Sequence, residues 1–179
     1  RVRGLQSHGN MVETVKIGDR AAVNIAGLDK TDLWRGAELV SNNWVKPTLQ
    51  IIANIILISA TKWQIKSKQR VRIHVGTQEL LARVILPKSS LRAGETAHII
   101  LQFEESAVVA MDDRFVIRSY SPMETIGGGV VLDAHPKGTI KSQLVWTKEV
   151  VVDSEKRYLQ FIDKEFGSPR TLDEWLKVF

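Results

Sequence analysis

The chain has 179 residues, 44% of them hydrophobic and 25% charged, a net charge of +5 and no cysteine. This is the composition of a globular protein with room for one large or two small cores. It excludes a disulfide framework and any thiolate metal site, suits a reducing cytoplasm, and favours a polyanionic partner.

The opening R-V-R-G-L-Q-S-H-G reads as a strand that ends in a polar turn, followed by an extended run over residues 12–17 closed by Gly18-Asp19. Residues 20–26 alternate as a third strand. Asp29 is placed to cap one helical turn over residues 30–35, and residues 37–40 read as strand again. With only about four strands this region falls short of a closed barrel. Because the chain also opens at Arg1 rather than methionine, the sequence is expected to be a piece of a longer protein.

Pro47 marks a boundary, and residues 49–60 form a long apolar strand, too short to span a bilayer. Residues 61–69 read as a polar loop carrying Lys62, Lys66 and Lys68. Next comes a strand that sets Arg70, Arg72 and His74 on one face. Strands follow at 80–86, 98–103 and 108–110, with turns at 87–94 and 104–106. That makes roughly six or seven strands up to Asp133, the spacing of a sandwich or small barrel.

The most informative stretch is A-M-D-D-R-F-V-I-R-S-Y-S-P-M-E-T-I-G-G-G-V-V-L-D, residues 110–133. Its period of two puts Phe115 and Ile117 on one face and Arg114, Val116 and Arg118 on the other. The Tyr120–Met123 turn makes it a hairpin. The three glycines do not form a phosphate loop, because they lead into more strand and no Gly-Lys pair follows. They mark a place where another backbone passes too close for a Cβ.

Residues 137–153 read as a linker. Beyond it Tyr158, Phe161, Ile162 and Phe166 have helical spacing over 154–166, with Gly167 at the C′ position. Thr171 and Glu174 fit the capping box of a second helix, so 154–179 reads as the start of a winged-helix module.

No catalytic constellation is present. His8, His74, His98 and His135 lie far apart without metal-ligand spacing. The adjacent pairs Glu104-Glu105 and Asp112-Asp113 read as turn and cap residues, because neighbours on extended chain point apart. The segment is therefore expected to have no enzyme activity and no metal. The basic set Lys62, Lys66, Lys68, Arg70, Arg72, Arg114 and Arg118, with Tyr120 nearby, points to phosphate contact with RNA. The absence of paired aromatic residues on the strands argues against base stacking.

Together, R-V-R-G-L-Q-S-H-G, V-K-I-G-D-R-A-A-V-N-I-A-G-L-D, L-W-R-G-A-E-L and the 110–133 motif resemble the barrel domains of selenocysteine-specific translation elongation factors, over residues 1 to about 136. The resemblance implies a mainly β fold. An incomplete first barrel at 1–43 corresponds to the second domain of elongation factor Tu, and a barrel at 44–136 to its third. It also implies a central fragment of a factor that delivers selenocysteyl-tRNA to the ribosome, with GTP and Mg²⁺ held in a GTPase domain and an mRNA hairpin read by winged helices, both outside this segment. No membrane partner is implied. By the same resemblance, Arg20 falls in the aminoacyl pocket, where a guanidinium suits an anionic selenolate. Lys68, Arg70, Arg72, Arg118, Ser119 and Tyr120 would touch the tRNA stems. Where the family carries a basic residue before M-D-D-R-F, this chain has Glu104-Glu105. The rival reading is a stand-alone β-barrel module that binds RNA or protein without a GTPase.

Overall fold

The β-branched, alternating runs pair into antiparallel ladders throughout the computed structural model, which describes residues 1–40, 46–164 and 171. Two compact units emerge, residues 1–37 and 38–179. The division falls a few residues before the boundary read at 43.

The first unit is a three-stranded sheet of β1 (Val2–Ser7), β2 (Asn10–Val12) and β3 (Ala21–Ile25), in the order β2-β1-β3. The β1–β2 connection turns on His8 and Gly9, both at positive φ. The expected helical turn is present as a 3-10 turn at Lys30–Asp32. The strand expected at 37–40 is not formed, because nothing pairs with it among the described residues.

The second unit contains β4 (Thr48–Leu57), β5 (Ile65–Lys66), β6 (Arg70–Val75), β7 (Gln78–Ile85), β8 (Ser90–Leu91), β9 (Thr96–Ala107), β10 (Arg114–Ser119) and β11 (Thr125–Asp133). Six of these close a barrel in the order β10-β11-β4-β9-β7-β6, while β5 and β8 pair separately. Period-two alternation fills the interior. Val71, Ile73 and Val75 of β6 and Phe115 and Ile117 of β10 are buried, whereas Arg70, Arg72, His74, Arg114 and Arg118 face outward. Residues 104–106 form no turn. They continue β9, and residues 108–110 form no strand.

The glycine run is a strand at a close backbone crossing. A Cβ on Gly127 would lie 2.5 Å from the Ile56 carbonyl oxygen. On Gly129 it would lie 2.5 Å from the Asn54 oxygen and 2.7 Å from the Phe115 ring. A side chain at either position would push β11 off β4.

The stretch expected to be a linker contains a helix, α1 (Ile140–Glu149), capped by Thr139, whose side chain accepts from the Ser142 amide. After four residues comes α2 (Ser154–Lys164). Both helices belong to the barrel's unit. Helix α1 packs on β9, and its Trp146 Nε1 donates to Asp133 Oδ2 at 3.1 Å and meets the Phe161 ring edge-on at 5.6 Å. Arg157 of α2 is fully buried, donating to the Asp112 carboxylate before β10 and to the carbonyls of Val151 and Val152. Asp112 also accepts from the Tyr158 hydroxyl, 3.1 Å away. Of the remainder of the expected winged-helix segment only Thr171 is described, and Gly167 and Glu174 lie outside the described residues.

Candidate nucleic-acid interface

Strands β10, β6 and β7 are neighbours on one wall of the barrel, with Arg118 opposite Arg72, and Arg70 opposite Arg83. Residues on the same side of neighbouring strands lie close enough to interact, so three strands project cations outward from one patch.

Tyr120 follows β10 and is 43% exposed. The guanidinium carbons of Arg70 and Arg72 stand 4.6 and 5.3 Å from its ring centre. Such stacking fixes the planes of both forks. Arg118 reaches back to the Met123 carbonyl at 3.3 Å, spanning the turn. Lys68 is exposed in the turn before β6 at positive φ, its amide bonded to the Val84 oxygen.

Ser119, read as a tRNA contact, is wholly buried. Its hydroxyl accepts from the Glu124 amide at 2.9 Å and donates to the Pro122 carbonyl. Its side chain fastens the turn that presents Tyr120, and that leaves no group for a ligand. Glu124 in turn accepts from Trp63 Nε1 at 2.7 Å. Arg20 lies in the first unit, exposed just before β3, with its carbonyl bonded to Ser7 Oγ.

Two acidic residues that the sequence pattern does not assign to the interface stand directly on it. Glu104 takes the Arg70 fork with both oxygens, one at 2.8 Å from Nε. This bond raises the Arg70 pKa and draws the Glu104 carboxyl below its ordinary value. Glu79 Oε1 accepts from Arg72 at 2.6 Å. Glu79 stands two strand positions from the residue opposite Arg72, and Glu104 is 34 residues from Arg70, relations that only the strand register reveals. Among the described residues no group of three or more His, Asp or Glu is arranged to hold a metal. No helix among them is long and apolar enough to cross a membrane.

Residues 52–138 match the family described as selenocysteine-specific elongation factor, beta-barrel domain. The barrel belongs to that family. The selenocysteine-specific elongation factor of Desulfomicrobium baculatum is 33% identical over 134 residues, covering 74% of this chain and 21% of that protein. That of Escherichia coli strain K12 is 29% identical over 138 residues, covering 76% and 20%. That of Methanocaldococcus jannaschii is 25% identical, covering 89% and 38%. The chain thus spans about a fifth to two-fifths of the length of these relatives.

Proposed function

We propose that this chain is the tRNA-holding part of a selenocysteine-specific elongation factor. In this reading the barrel wall grips the acceptor and T stems through Arg70, Arg72, Arg118, Tyr120 and Lys68. Arg20 favours the selenolate of the charged residue. Delivery to the ribosome depends on GTP and Mg²⁺ bound in a separate GTPase domain, and the mRNA hairpin is read by a further region. The observation that carries the proposal is the pair of arginine forks stacked over one exposed tyrosine, on a barrel of this family. Stacked forks offer flat, bidentate donors to phosphate oxygens and read no bases, which fits recognition of a stem by backbone and shape.

The test is binding of a selenocysteine tRNA transcript across roughly 50 to 200 mM salt. Replacing Arg70 and Arg72 by Ala together is expected to lower affinity and flatten the slope of log K against log salt by about two. An unchanged slope and affinity would remove this wall from the interface. For the pocket, Arg20→Ala in a factor that includes the GTPase domain is expected to reduce preference for selenocysteyl over seryl-tRNA. Equal preference in variant and parent would remove Arg20 from it.

A further inference from the structure

The stacked arginines of the barrel wall are not bare. Each already holds a carboxylate, Arg70 that of Glu104 and Arg72 that of Glu79. These ion pairs are open to water, with side chains 34 and 33% exposed in the first and 27 and 47% in the second. Pairs so exposed add little to stability. Core packing does not require them either, since Glu104 lies one residue past the last β9 position paired with β7. What they change is the state in which the two forks meet a ligand.

We propose that Glu104 and Glu79 are specificity-determining covers on the RNA-binding wall. They occupy the two arginine forks in the free protein, so that only an RNA with phosphates held at the spacing of both forks displaces them. The proposal rests on the tRNA-holding reading and deepens it.

A lone phosphate arriving at Arg70 exchanges one anion for another, so its net gain is small and the departing carboxylate remains nearby to repel it. A ligand that engages both forks at once gains two charge-assisted bidentate contacts for a single loss of translational freedom. The forks are also ready for that exchange. Both guanidinium carbons lie within 5.3 Å of the Tyr120 ring centre, so stacking keeps them in place when the carboxylates swing away. A duplex stem presents phosphates at fixed spacing, whereas a flexible single strand must be ordered first. Covered forks therefore penalise single strands and stray polyanions more than a stem. Arg83, exposed on β7 with Nη1 on the Lys68 carbonyl at 3.4 Å, and the 43% exposed Tyr120 hold no carboxylate cover of their own among the described residues.

The experiment compares two RNA probes of equal length, a hairpin with the acceptor and T stems of a tRNA and an unstructured poly(U) strand. Both are titrated against the 179-residue chain and its Glu104→Gln, Glu79→Gln and double variants across a salt series. The expected result is tighter poly(U) binding by about two- to fivefold for each variant and a smaller gain for the hairpin. The ratio of the two affinities falls, and the poly(U) salt slope steepens by about 0.7 for each exposed fork. If the parent binds the hairpin while every variant keeps the parent's affinity ratio and salt slope, the covers are overturned and the tRNA-holding reading stands. If neither parent nor variants bind the hairpin above poly(U), the tRNA-holding reading fails, and the covers with it. Each substitution removes one partly exposed charge and its ion pair, and an unchanged thermal unfolding midpoint verifies that folding is not the variable.

Discussion

Residues 1–37 and the barrel are built from the same kind of strand, short, antiparallel and alternating, yet they differ in what they bury. Gly36 alone is buried among the described residues of the first unit, and Met11, Ile17 and Trp34 are 68% exposed or more. In the barrel, Ile51, Ile73, Ile99 and Ile117 are at most 1% exposed. The difference is closure. Among the described residues the three-stranded sheet has two unpaired edges and no layer opposite its apolar face, whereas six strands closed on themselves use every edge and place one face of each strand inside. Alternation therefore names the faces, and topology decides whether either face is covered.

The largest test of that contrast is a truncation in each region. Ile117→Ala leaves a cavity in the closed interior and is expected to cost about 4 kcal/mol, whereas Val23→Ala on the open sheet is expected to change stability by no more than about 0.5 kcal/mol. Urea unfolding of both variants checks this, and equal costs would mean that closure is not what separates the units. A smaller effect sharpens the same point with glycines. Gly129→Ala forces a methyl against the Asn54 oxygen and the Phe115 ring, neither of which can yield, and is expected to cost about 3 kcal/mol. Gly9 has nothing within 4 Å of the place a methyl would take but sits at φ +83°, so Gly9→Ala is expected to cost only its backbone strain, about 1 kcal/mol. The same urea series measures both, and a Gly9 cost equal to that of Gly129 would mean that close packing is not what β11 adds.

The smallest effect depends on pH and tests the helices' attachment. Burial raises the Asp133 pKa above its ordinary value, against the opposing bonds from the His135 amide and Trp146 and the charge of Lys164. An acid whose pKa is raised on folding contributes stability that is fully present below its unfolded pKa and is lost as pH rises through the folded value. Asn does not titrate. Asp133→Asn is therefore expected to gain on the parent as pH rises from 4 to 7. Thermal unfolding at both values checks it, and a constant offset would show that burial of Asp133 does not outweigh the bonds that oppose it.

Much of the barrel was legible in the sequence because its outward residues are charged. Arg70, Arg72 and His74 against Val71, Ile73 and Val75 declare a half-buried strand without further information. The glycine run was legible too, since a strand with glycines and no Gly-Lys pair has few physical explanations. Helix α1 was hidden because two of its buried residues, Gln143 and Thr147, are polar and show no apolar stripe. Gln143 Nε2 donates to Gln50 Oε1 far along the chain, while the Thr147 hydroxyl donates to the Leu144 carbonyl within the helix. The end of β9 was hidden for the opposite reason, since Glu104, Glu105 and Ser106 are all exposed and lose the period of two. In the interface the cations were legible as a set. Their anionic partners were not, because ion pairs across strands are a property of the register, and no local spacing encodes Arg70 with Glu104. Ser119 shows the same limit, since a hydroxyl beside an arginine and a tyrosine looks like a ligand contact until the turn folds over it.

The barrel's seam has a consequence in time. Strand β4 is the first of the barrel in chain order, and one of its two neighbours is β11, the last. During synthesis the apolar β4 must therefore wait for the hairpin of β10 and β11 to emerge, an interval on the order of several seconds. Until then its edge lies open, and closure of so distant a pairing is slow. Residues that fasten the turn of this hairpin, as the Ser119 hydroxyl does between the Glu124 amide and the Pro122 carbonyl, thus bear on how securely the last strand closes that seam.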